Sequence, residues 1–112
     1  MSGELDYVVI ISTHGRTREL TQTLNSLLSQ TRLPEAIVIL DDSPISSPVN
    51  LNGKVHYLRD PKPHYDSRRI VNNWNRLLDY VLNQRWTPSL MMISGDDCIY
   101  PPHYAERVAC LF

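Results

Sequence analysis

Residues 7–16 read YVVIISTHGR. Tyr7 to Ile11 is an apolar, β-branched run with no polar interruption, the pattern of a strand buried on both faces. It breaks into the polar turn Ser12-Thr13-His14-Gly15-Arg16. Outward from this stretch the same transition occurs twice more. Ile37 to Leu40 ends in Asp41-Asp42-Ser43, and Leu90 to Ile93 ends in Ser94-Gly95-Asp96-Asp97. A shorter run, Val55 to Leu58, is closed by Asp60-Pro61. Helical patterns lie between the strands. Leu20, Leu24, Leu27 and Leu28 share a helix face, and that helix is expected to end near Gln30, before Leu33-Pro34. Ser67 is placed to cap a second helix, whose apolar stripe is Ile70, Trp74, Leu77, Leu78 and Val81. Pro101-Pro102 suits the start of a last helix running toward Phe112. Strands alternating with helices imply right-handed crossovers. The expected fold is therefore α/β and Rossmann-like, a mainly parallel sheet flanked by helices on both faces. Residues 1–112 are read as a single domain.

Composition narrows the class. Hydrophobic residues make up 42% of the chain and charged residues 21%, enough apolar content for a packed core and too much for disorder. The net charge is −1. Both signs are mixed along the chain, so no basic stripe announces a nucleic acid. Arg68-Arg69 is a local anion site at most. The first residues, MSGELDYVVIIS, have no basic n-region and only a short apolar run, so they read as neither a secretory signal nor a membrane span. Cys98 and Cys110 form no disulfide framework and fit a reducing compartment. The expectation is a soluble cytoplasmic protein.

In an open parallel sheet, loops that follow strands share the carboxyl edge, where ligands bind. Loops are polar in any case, and one such cluster would mean little. Three on one edge, two of them paired carboxylates, point to a site. Asp96-Asp97 is the sharpest feature. Adjacent carboxylates repel, and either a divalent cation or hydrogen-bond donors would relieve them. Oxygen ligands favour Mg²⁺ or Mn²⁺ over zinc. The competing reading is a solvated turn in which Asp97 caps the last helix. Asp41-Asp42 can accept from a base N–H or a ribose hydroxyl, or else form an Asx turn ahead of Ser43-Pro44. The loop Ser12 to Arg16 has a single glycine and lacks both the dinucleotide fingerprint and the P-loop. His14 is a candidate ligand contact in a loop where a solvated histidine is commoner. Cys98, His103 and Cys110 lack recognised zinc spacing.

Taken in order, these pieces resemble family 2 glycosyltransferases. VVIISTHGR resembles the family's opening strand and loop, VSIIIPTYNR, with Ser12, His14 and Gly15 in place of proline, tyrosine and asparagine. LTQTLNSLLSQT resembles the next helix, and AIVILDDSP resembles IIVVDDGS. RRIVNNWNRLLDYV resembles the arginine-and-asparagine helix before the metal motif. SGDDCIYPPHYAERV resembles the DXD-type loop and following helix, with Gly95-Asp96-Asp97 at the motif. The resemblance spans nearly the whole chain and implies the nucleotide-sugar-binding half of a GT-A fold. It implies a nucleoside diphosphate-sugar, here a UDP-sugar, bound with Mn²⁺ or Mg²⁺. Asp42 would bind the nucleobase, with Ser12, Thr13 and His14 lining its pocket. Asp41 and Arg16 belong to the same candidate set. Arg69 would approach the diphosphate, Asp96 would contact ribose or sugar, and Asp97 would ligate the metal.

Family members continue past the helix that follows this motif, into the half that holds the acceptor pocket and the general base. No catalytic base is therefore named. Two readings remain: a glycosyltransferase that needs a partner or further chain, and a non-catalytic nucleotide-sugar-binding or assembly module. A receiver-like phosphoacceptor domain also gathers carboxylates at strand ends. However, no lysine follows the fourth strand here and the acid pairs sit on the wrong strands. The apolar run Leu90-Met91-Met92-Ile93 wants more cover than Tyr104, Val108, Leu111 and Phe112 can give. That leads to the expectation of a homo-oligomer or a partner chain.

Overall fold

Strand β1 (Tyr7–Thr13) leads to helix α1 (Thr17–Leu28) and strand β2 (Ala36–Asp41). Strand β3 (Val55–Arg59), helix α2 (Arg69–Leu82), strand β4 (Leu90–Ser94) and helix α3 (Tyr104–Ala109) follow. This computed structural model describes residues 6–44, 53–61, 69–86 and 88–111, with the side chains of Arg69 and Ile70 outside the described set. The expected caps and ends at Ser67 and Phe112 also lie outside the described residues.

The four strands form one sheet in the order β3-β2-β1-β4. Every pairing is parallel. The α/β, Rossmann-like architecture is as the alternating periodicities predict. β1 is central: Val9 registers with Ile37 of β2 and with Met92 of β4. Each strand extends one or two residues beyond its apolar run, because backbone pairing continues into the first polar residues, as at Thr13↔Asp41.

Side chains alternate between two cores. Val9, Ile11, Ile37 and Ile39 pack against Leu20, Leu24 and Leu27 of α1, with Ala105 of α3 on the same face. Val8, Ile10, Val38 and Leu40 pack against Leu77 and Val81 of α2. Both faces of β1 and β2 are thus covered, which is why these strands read as continuous apolar runs. Each such fully buried side chain contributes roughly 1.5–3 kcal/mol of transfer free energy. Leu78, counted in the α2 stripe on periodicity, is 36% exposed. It lies at the margin of the helix face that Leu77 and Val81 centre on.

β4 is an edge strand, with Leu90, Met91 and Met92 half-buried and Ile93 exposed. An apolar cleft of about 200 Å³ lies between it and α3, lined by residues that include Tyr7, Leu90, Met92 and Val108. Tyr7 donates its hydroxyl to the Arg32 carbonyl at 2.5 Å, and burial pushes its pKa up to about 12 despite the charge of Arg32. None of the described helices is long and apolar enough to cross a membrane.

Gln30 ties α1 to the segment after β4. Its Nε2 donates to the Ser26 and Pro101 carbonyls at 3.1 and 2.7 Å, and its Oε1 accepts from the Ala105 N–H at 2.9 Å. The Thr31 N–H donates to the Pro102 carbonyl at 2.8 Å. The buried amide therefore satisfies backbone groups at the start of α3 and fixes the end of the loop that carries Asp96 and Asp97. Gln30→Leu leaves those groups unpaired in a dry interior. It should lower unfolding free energy by about 1–3 kcal/mol in urea titration.

Candidate functional site

The parallel sheet brings the three polar clusters to one edge. β1 ends between β2 and β4, so Asp42 and Asp96 flank it across two strand spacings, about 10 Å. Gly15 turns the chain between them with φ of +73°, a conformation that suits glycine. The two residues beside it reach opposite ways. His14 meets Asp42 beyond β2, and Arg16 meets Asp96 and Asp97 beyond β4.

On the β2 side, the His14 Nδ1 lies 2.6 Å from Asp42 Oδ1. Asp42 is fully buried. Its Oδ2 accepts from Asn73 Nδ2 at 2.9 Å, and the same amide group reaches Ser12 Oγ at 3.2 Å. Asn73 is itself buried, and its Oδ1 has no partner among the described residues. The Asp42 N–H donates to the Thr13 carbonyl at 3.1 Å, which locks the loop after β2 onto β1.

On the β4 side, Thr13 Oγ1 donates to Asp96 Oδ2 at 2.8 Å. Arg16 spans the acidic pair, with Nη1 at 3.4 Å from Asp96 Oδ1 and Nη2 at 3.3 Å from Asp97 Oδ2. The repulsion between the adjacent carboxylates is thus relieved by donors and one cation. Asp96 is nearly buried and Asp97 is exposed. Asp97 does not cap α3, because the residue in the cap position is His103.

Asp41 behaves differently from its neighbour. Its Oδ1 accepts from the Ser43 N–H at 2.9 Å and from Ser43 Oγ at 2.6 Å, an Asx turn. Its Oδ2 accepts from the Tyr57 hydroxyl and from Arg59 Nη1. The carboxylate is buried and braces β2, β3 and the turn together. As an acceptor open to a base or ribose, the role considered for it from sequence, it is already engaged by protein groups.

The family of the chain can be read beside this geometry. A family model for glycosyl transferase family 2 matches residues 8–111. The chain belongs to glycosyl transferase family 2. Comparison with curated proteins finds no match. The family assignment agrees with the first half of a GT-A fold.

Within this glycosyltransferase domain the structure brings Ser12, Thr13, His14, Arg16, Asp42, Asp96 and Asp97 to one edge. Arg69 is the first residue of α2, and its side chain lies outside the described residues. Sequence reasoning passed over Asn73, Tyr57 and Arg59. Asn73 had a signal: it sits four residues before Leu77 and eight before Val81, on the face that α2 buries, where a polar side chain needs a partner. Tyr57 and Arg59 had none, because only the β2–β3 register sets them beside Asp41.

Burial alone would raise the Asp41 carboxyl. Hydrogen bonds from Ser43 and Tyr57, with the Arg59 charge, outweigh it and hold the group below its ordinary value of 3.8. A carboxyl depressed in the folded state adds stability that is full above its unfolded pKa and is lost as pH falls through the folded value. Denaturant titrations of wild type and Asp41→Asn should therefore differ by about 1–3 kcal/mol near neutrality. The difference should shrink below a pH of about 4 as the wild-type carboxylate takes up its proton.

Proposed function

We propose that this edge binds a nucleoside diphosphate-sugar, a UDP-sugar in the first instance, together with Mn²⁺ or Mg²⁺. On this reading the chain is the donor-binding half of a glycosyltransferase. The observation that carries the reading is the convergence of Asp42, Asp96 and Asp97 around the end of β1, with Arg16 lying against the acidic pair. Family membership makes glycosyl transfer the relevant chemistry.

Family members commonly use a divalent metal. Among the described residues no cluster of three or more His, Cys, Asp or Glu is arranged to hold an ion. A Mg²⁺- or Mn²⁺-type site does not require one, since such ions take one or two carboxylates and complete their shell with phosphate oxygens and water. Asp97, exposed and oxygen-bearing, fits as the protein ligand, with Asp96 beside it toward ribose or sugar. When bound, the metal would neutralise charge on the departing diphosphate. Ser12, Thr13, His14 and Asp42 line the nucleobase end, Asp41 braces it, and Arg69 opens α2 on the diphosphate side. Arg16 adds positive charge where phosphate oxygens would lie and must share the acidic pair with the ion. In the transfer itself the anomeric C–O bond breaks with its electron pair passing to the diphosphate. The acceptor oxygen forms the new bond and loses its proton to a base.

UDP should bind with Mn²⁺ in isothermal titration and weaken sharply on chelation. Asp97→Ala should abolish the metal dependence, because a carboxylate oxygen leaves the ion's shell. Equal UDP affinity with and without chelator would count against the metal. The contacts assigned here all concern the donor, which favours a binding module when the chain stands alone. Transfer to any acceptor by the isolated chain should be slow, since acceptor orientation supplies on the order of 7 kcal/mol of barrier lowering in favourable cases. Rapid turnover with a defined acceptor would overturn that expectation.

The same reading includes association. Ile93 on the β4 edge is 64% exposed, and Leu111 is also exposed. A second copy, or a partner chain, would cover this apolar edge. Light scattering at micromolar concentration should give a mass above 12.9 kDa, and a clean monomer would rule association out.

A further inference from the structure

We infer that His14, rather than Asp42, reads the nucleobase, and that Asp42 acts by fixing which imidazole nitrogen carries the proton. The inference rests on the donor-site reading above. A carboxylate only accepts hydrogen bonds, so the 2.6 Å contact places the proton on Nδ1 of His14. In neutral imidazole the other nitrogen, Nε2, is then a bare acceptor. The His14 side chain is 43% exposed, and Nε2 has no partner among the described residues. Asp42 meanwhile is fully buried, with Oδ1 against His14 and Oδ2 held by Asn73. The acceptor presented at this end of the edge is therefore Nε2, with the buried carboxylate behind it.

An acceptor in this position selects bases that present a ring N–H. Uracil carries a hydrogen on N3, whereas cytosine has a bare N3 at the same place. UDP and CDP differ little apart from this edge, so their affinity ratio reports on it. Asn73 makes the arrangement testable. Its Nδ2 must face the Asp42 position, because its Oδ1 would repel a carboxylate there. In Asp42→Asn an amide that keeps its oxygen toward Asn73 Nδ2 directs its NH₂ toward His14. The Nδ1 nitrogen then becomes the acceptor, and Nε2 carries the proton.

The test is titration of UDP and CDP, each with Mn²⁺, against wild type and the variants in one buffer. Wild type should favour UDP by on the order of fivefold or more, the size of one hydrogen bond. His14→Ala should weaken UDP by a similar factor and bring the ratio near one. Asp42→Asn should shift the preference to CDP. Proton–nitrogen NMR of the imidazole gives a readout independent of binding: Nδ1 protonated in wild type, Nε2 protonated in Asp42→Asn. If His14 merely covers Asp42, His14→Ala will bind UDP as well as or better than wild type, and the inference fails. UDP and CDP both failing to bind wild type would instead strike the donor-site reading itself. His14→Ala alters a partly exposed loop residue, so it decides the matter even if Asp42→Asn does not fold.

Discussion

β1 is hydrogen-bonded on both edges and covered on both faces, and the rest of the domain is arranged by that constraint. A strand so enclosed can carry polar side chains only where it leaves the core. Tyr7 to Ile11 accordingly hold none but the Tyr7 hydroxyl, which finds the Arg32 carbonyl. Ser12, Thr13 and His14 come at once afterwards, at the carboxyl end. Because β2 and β4 run parallel to β1, their own exits fall beside it. The clustering of these polar residues is thus a consequence of how the sheet must be buried, since they gather where the parallel strands leave the core at their carboxyl ends.

Gathering carboxylates there creates an electrostatic problem that the fold resolves locally. Asp41 is neutralised and hydrogen-bonded by Ser43, Tyr57 and Arg59. Asp42 is held by His14 and Asn73, while Asp96 and Asp97 share Arg16. The pairings differ in depth. Those of Asp41 and Asp42 lie in the interior, where the carboxylates cannot be left unpaired without a cost of several kcal/mol. That of Arg16 lies at the surface, where water and salt screen it and a ligand can replace it cheaply. On the proposed reading, the inner contacts would shape the pocket and the outer ones would yield to a diphosphate and cation.

The fold and the position of the edge were legible in the chain itself. Continuous apolar runs ending in polar residues, spaced by helical stripes, are what a two-sided parallel sheet requires, and the physical need to bury them admits few other arrangements. The motif order likewise sufficed for the family. What the sequence could not decide was which carboxylate faces outward. Asp41 and Asp42 are adjacent and chemically identical in the chain, yet the pleat of β2 turns one to Tyr57 and Arg59 and the other to His14 and Asn73. Asn73 is recognisable in the sequence only as a polar residue on a buried helix face. Its partner is set by how α2 crosses the sheet. Linear spacing carries the period of each element, and that determined the elements and their shared edge. Strand register and helix placement bring together residues as far apart as Thr13 and Asp96, so those partnerships were decided by tertiary structure alone.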